Sequence, residues 1–412
     1  MAFCAGRFLL VAVVTLTVIS TFAQVSYNSP YSFYGVGLIN NKSSSLNRGL
    51  AGTGIGIQDD YNLNYVNPAS YASIVSPITH IYEVGTYVES NRFETTTLSE
   101  SKTNGGMSNL SYWFKLSPRW ASVAGLSPYS SVSYSIKATR DLAILDNVEY
   151  TREGAGNITQ LYFGNAFNVV KNFSVGLNIS YLFGSIHRYE YLSTSILPGL
   201  TYDDKIFIRK FDFDAGLQYK FHWKDKKLVV GMTLDDGLKL EGTRTGKLYD
   251  SEGDTLKTIS NSDVQYTLPA SAGVGLSLQT KLFLWAGDVK YENWSNADIA
   301  NKEIILQDVW KLSGGFMYKG NANSDSYLGA VGLRGGVHAE NFYQKLNGRN
   351  VLNWGASAGL SFPVFDGRSC INFIYCFDKL GTVSDGLILQ HSNKFMLDVV
   401  IRDLWGGKRK FD

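Results

Sequence analysis

The chain has 412 residues, 44% of them hydrophobic and only 18% charged, with 25 Tyr, 23 Phe and 41 Gly against 8 Pro. Soluble globular chains average about 25% charged residues, so this balance predicts strands with one greasy and one wet face. A net charge of +2 gives no basis for nucleic-acid binding. Arg7 followed by FLLVAVVTLTVIS and TFA-Q reads as a secretory signal, residues 1–23, cleaved after Ala23. No other stretch is apolar over the 18 or so residues of a helical span. Cys4 is expected to leave with the signal. Cys370 and Cys376, six apart in one strand, would stand roughly 20 Å apart, too far for a disulfide.

Residues 24–77 are rich in Gly, Ser and Asn and do not alternate. They precede the strands as a compact segment suited to filling a lumen, an N-terminal hatch. Within NYVNPASYAS, Pro68 fixes φ and Asn67 can bond its own backbone, so the chain turns sharply. Ala69, Ser70 and Ala72 let it pack close to a wall. Asp59 and Asp60 are expected to salt-bridge that wall or to hold a cation, the salt bridge being preferred. GTGIG at 52–56 lacks the spacing and following helix of a nucleotide loop.

Strict alternation begins near residue 78. In KFDFDAGLQYKFHW, Phe211, Phe213, Ala215, Leu217, Tyr219, Phe221 and Trp223 share one face, and Asp212, Asp214, Gln218 and Lys220 the other. Fourteen such runs cover approximately 78–92, 106–117, 119–136, 154–170, 172–190, 207–223, 227–246, 263–280, 282–296, 305–319, 327–341, 350–364, 368–379 and 393–404. The strictly alternating stretches within them, 10 to 14 residues long, exceed an ordinary strand of about 5–6 and suit the 9–11 residues of a tilted membrane crossing. Their apolar faces end in Tyr, Trp or Phe, as interfacial girdles do. The expected fold is all-β: a transmembrane antiparallel barrel of about 14 strands, residues 78–405, in the outer membrane of a Gram-negative bacterium, with the N-terminal hatch in its lumen. Stretches 191–206, 247–262 and 380–392 are predicted as outer loops, and Lys171-Asn172, 224–227 and Lys281 as periplasmic turns. The end, 406–412, is a basic periplasmic tail that a partner could read.

Asp212, Asp214, Arg334 and Arg402 fall on the inward parity. With Asp59 and Asp60 they are candidates for a lumen charge network that holds the hatch. His80, His187, His222, His338 and His391 are scattered without ligand spacing, so no metal or cofactor is expected. No GxSxG or triad arrangement is visible, and no enzyme is expected.

The order Gly35-Val36-Gly37, Arg48, Ala51-Gly52-Thr53-Gly54, Asp59-Asp60 and Asn67-Pro68-Ala69 resembles the hatch of the FadL/TodX family. Leu268-Pro269, Gly273, Trp285, Asp288, Tyr291 and Trp294 resemble a late-barrel pattern of the same family. The resemblance implies a fourteen-stranded outer-membrane barrel passing hydrophobic small molecules, such as long-chain fatty acids, by diffusion past a hatch. Only Asn67, Pro68 and Ala69 carry over as motif residues. The SPYSFYGVG start departs from the family pattern, and no extracellular ligand groove is identifiable. Some relatives serve instead as barrel subunits of secretion or assembly complexes, with other outer-membrane proteins as partners through loops or the tail. That is the competing class, and a nonspecific porin is a third that a hatch would defeat.

Overall fold

The computed structural model describes residues 29–403, apart from 41, 76, 143–145, 195–198, 300–304, 322–323, 347, 366 and 368. The expected signal (1–23) and basic tail (406–412) lie outside these residues.

Among the described residues, fourteen antiparallel strands close a barrel. They are β1 (His80–Glu94), β2 (Ser99–Ser117), β3 (Trp120–Leu142), β4 (Asp146–Val170), β5 (Phe173–Thr194) and β6 (Leu200–Trp223). Two interrupted strands follow: β7 (Lys226–Asp235, then Leu238–Tyr249) and β8 (Thr255–Leu268, then Ser271–Gln279). The rest are β9 (Phe283–Glu292), β10 (Val309–Tyr318), β11 (Gly332–Asn341), β12 (Leu352–Val364), β13 (Ser369–Gly381) and β14 (Leu389–Asp403). Each pairs with its neighbour in sequence, and β14 closes on β1 from Asp403↔His80 to Leu389↔Glu94. Closure removes the sheet edge that a bilayer cannot solvate.

The period-2 pattern sets the faces. On β6, Phe211, Phe213 and Leu217 are exposed outward, whereas Asp212 and Gln218 are buried. Two aromatic levels bound the outward belt. Trp120 stacks on Phe167 (5.0 Å) and Phe283 on Phe316 (5.8 Å) near the short-turn end. Tyr291–Trp310 and Tyr375–Phe395, each at 5.0 Å, lie at the other. Such girdles mark the two interfaces of an outer-membrane barrel, with short turns on the periplasmic side. The protein therefore lies in the outer membrane of a Gram-negative bacterium.

The strands differ from the expected bounds on the outer side. β5 and β6 reach Thr194 and Leu200, so most of 191–206 is ladder, and β8 begins at Thr255. Above the lipid belt the outward side chains turn polar, which ends the hydrophobic pattern without ending the backbone pairing. One half of the wall is consequently tall. β3 to β6 run 22 to 25 residues, against 10 each for β9, β10 and β11. β7 and β8 break side by side, at Asp236-Gly237 and Pro269-Ala270. Gly237 has φ +78°, and a Cβ there would lie 2.7 Å from the Ala270 nitrogen.

Candidate functional site: the N-terminal segment and its chamber

Residues 29–75 form little regular structure, yet most are buried. A short turn at Pro30–Phe33 leads to Leu38–Ile39, which pairs as a two-residue strand with Ser131 and Ser130 of β3. Helix α1 (Ser45–Gly49) follows, started by Ser44 and Asn47 in a reciprocal cap. The Asn67-Pro68 turn then opens a 3₁₀ segment, Pro68–Ser73. The Asn67 side chain accepts from the Ala69 N–H at 3.0 Å, and Pro68 occupies the first turn, where its missing N–H costs nothing.

Inward-facing residues all around the wall bind this segment. Asn67 Nδ2 donates to the carbonyls of Ile55 (2.9 Å), Leu217 (3.2 Å) and Met232 (3.3 Å), which ties the turn to β6 and β7. The carboxylate of Asp288 on β9 accepts from the N–H groups of Gly54 (2.6 Å) and Ile55 (2.9 Å). Gln218, Ser277 and Gln279 donate to carbonyls between Ile55 and Gln58. Arg48 on α1 reaches Asn109 (2.9 Å), Ser108 (3.0 Å) and Asp398 (3.3 Å). The Ser45 N–H donates to Glu83 at 2.7 Å. Backbone contact requires glycine where the wall comes closest: a Cβ at Gly176 would strike the Pro68 carbonyl, and one at Gly231 the Ile55 oxygen.

The candidate charge residues fall in two groups, Asp59, Asp60, Arg334 and Arg402 around residues 59–62 and Asp212 and Asp214 beside Lys42. Asp59 lies 3.6 Å from Lys319 and Asp60 3.1 Å from Lys227. Burial would raise the Asp59 carboxyl, but the Lys319 ammonium and the Tyr61 and Asn62 N–H groups hold it down to about 2. Asp214 pairs with Lys42 of the segment, and both Asp214 and Asp212 favour the charged ammonium there. Arg402 donates to Tyr61 O (2.7 Å) and Asn62 Oδ1 (2.8 Å). Arg334 is buried against Gly49. Asp59, Asp60 and Asp214 each pair with a lysine that sequence reading did not select, and Arg402 binds Tyr61 and Asn62 of the segment. Glu83, Asp288 and Asp398 carried a usable signal, since each is an acid on the buried parity of an alternating strand.

Above and beside the segment lies a chamber of about 990 Å³. Its lining mixes charges and amides, with Lys394 beside Glu89 (3.3 Å), Lys311 beside Glu340 (3.2 Å) and His338 beside Asp378 (3.3 Å). An apolar cluster lies in the outer lumen and shares Trp294, Val309, Phe342 and Tyr343 with the chamber lining. Tyr31 and Val36, flanked by Phe33, Tyr34, Leu38 and Ile39, pack there against Ile158, Ile186, Ile206, Trp294 and Tyr343. Among the described residues no group of three His, Cys, Asp or Glu side chains could hold a metal ion.

The BamG family profile matches residues 7–412. The chain belongs to the BamG family. None of the curated proteins matches this BamG-family sequence. Among solved structures, the CymD monoaromatic hydrocarbon channel superposes with a TM-score of 0.58 at 13% identity, over 89% of this chain and 99% of that one. The P. putida toluene transporter TodX superposes at 0.57 and 17%, over 88% and 98%. The BamG-family chain therefore has the FadL/TodX barrel fold, that of hydrophobic-compound channels, and the resemblance read from Asn67-Pro68-Ala69 holds at that level.

Proposed function

We propose that this protein is a closed barrel that acts as a subunit of a larger outer-membrane complex, with residues 29–75 as a plug. The observation that carries this reading is the occupancy of the outer lumen. The apolar space that would attract a hydrophobic solute is filled by the chain's own Tyr31, Phe33, Val36 and Leu38. The remaining chamber carries ion pairs and amides among aromatic and aliphatic side chains such as Tyr71, Tyr87 and Met396. A hydrophobic compound seated there would lie against those charged pairs and gain less than in an all-apolar pocket.

A second reading is favoured by the fold shared with hydrocarbon channels: passive passage of hydrophobic compounds, with fatty acids among the candidates, gated by the plug as a hatch. The two readings part in one experiment. The full-length protein is extracted in mild detergent, then reconstituted in liposomes. The subunit reading expects co-purification of other outer-membrane proteins at fixed stoichiometry and no uptake of a fatty acid or toluene above protein-free vesicles. A solitary barrel that accelerates uptake would establish the channel reading instead.

A further inference from the structure

The tall half-wall has two edges, because the strands beside it stop short. On the β3 side, β2 leaves the ladder above Leu110↔Leu126. The N-terminal segment takes its place there: the Ser29 N–H donates to Ser133 O (2.8 Å), Leu38–Ile39 pairs with Ser131 and Ser130, and the Asn40 N–H donates to Tyr129 O (2.8 Å). On the β8 side, β9 ends at Glu292, and the upper piece of β8 pairs with β7 alone. Thr267 exchanges hydrogen bonds with Asp298 at the foot of that edge. Above it, Thr255 to Tyr266 meets no strand on this side among the described residues.

That edge is about twelve residues long, or roughly 40 Å. Native sheets blunt such edges with proline, inward charge, clustered lysine or a covering loop. This one carries no proline, a single lysine (Lys257) and a single acid (Asp263) among β-branched and small polar side chains. Thr255, Leu256, Lys257, Thr258, Ser260, Asp263 and Gln265 are exposed.

We propose that the upper edge of β8, Thr255 to Tyr266, is a strand-addition site for an extended segment of a partner outer-membrane protein. Main-chain hydrogen bonds would supply the affinity, as in other edge-strand recognition. The opposite edge of the same wall shows the chemistry at work, since an extended stretch of this chain is already added to β3. The near-neutral edge fits a segment recognised through backbone rather than charge. The existence of a partner rests on the subunit reading above; its place of attachment rests on the unpaired edge.

The test uses the full-length protein in its own membrane. A photo-crosslinking residue is placed at Thr258 and Asp263, and at Thr243 on β7 as the mid-wall control. Amide hydrogen exchange over residues 257–265 is then compared between the isolated complex and the barrel alone. The site predicts adducts from Thr258 and Asp263 to one stretch of a different protein, none from Thr243, and at least tenfold slower exchange at alternate amides in the complex. Proline scanning at Lys257 and Thr258 adds a sign. Successive N–H groups point to opposite sides of a strand, so one of the two variants should lose the partner while keeping the barrel heat-modifiable. Equal exchange in both samples, protection already complete in the free barrel, or adducts only to a second copy of this chain would each overturn the proposal. A complex that persists with the β8 edge open leaves the subunit reading standing and removes the edge. Absence of any complex removes both.

Discussion

Asn67 lies directly over Gly216, where any Cβ would collide with the Asn67 carboxamide and reach 2.8 Å from Pro68 Cδ. The Asn-Pro turn is thus fitted to a glycine of β6, and the same turn meets a second glycine, Gly176 of β5, through its backbone. Overpacking of this kind costs about 1–3 kcal/mol. Gly176→Val is expected to leave a heat-modifiable barrel while exposing residues 45–75 to added protease. The same digestion of wild type should leave that segment intact. Equal resistance in both proteins would show that the turn does not depend on the fit.

Asp288 holds the same segment at Gly54 and Ile55, next to the carbonyl that Asn67 binds. Its carboxylate takes two backbone N–H groups that have no helix or sheet partner of their own. Leaving such buried donors unsatisfied costs roughly 1–3 kcal/mol. Asp288→Leu should therefore accelerate amide exchange at Gly54 and Ile55 by one to two orders of magnitude, and Asp288→Asn by less, because one oxygen acceptor remains. No change at these two amides would argue that the segment is held elsewhere.

Acid should loosen the segment at Asp59. Its folded carboxyl titrates at about 2, below the ordinary value of 3.8. A depressed carboxyl stabilises the fold above its unfolded pKa, and that contribution is lost as pH falls through the folded one. The shift corresponds to about 2 kcal/mol. Protease resistance of residues 55–75 is expected to hold above pH 4 and to decline between pH 4 and pH 2. Asp59→Asn should be weakened already at pH 7 and show a shallower decline. A parallel decline in both would assign the acid response to other carboxylates.

The outward face can be tested through assembly. Phe213 is 52% exposed toward lipid, and an arginine at such a position costs roughly 2–4 kcal/mol near the bilayer midplane. Phe213→Arg should fold poorly in vesicles. Asn353→Arg points into the chamber beside Glu340, to which Asn353 already donates at 2.7 Å. It should fold at close to wild-type yield. Equal yields would contradict the assignment of the two faces.

The sequence by itself determined the barrel. Alternation in stretches such as Phe211–Trp223 depends only on the period of a strand, so the strand number and the lipid-facing parity were both readable from local pattern. The Asn67-Pro68 turn was readable for the same reason, because proline and an amide side chain act on their own backbone. Tertiary structure alone decided which charges meet. Asp59 finds Lys319, Asp214 finds Lys42, and Arg48 finds Asp398 across 350 positions of chain. It also decided the height of the wall, since backbone pairing continues up to Thr194 and starts again at Thr255, where no hydrophobic pattern marks it. Local pattern reports the solvent a residue faces; a partner brought by closure of the barrel leaves no trace in spacing.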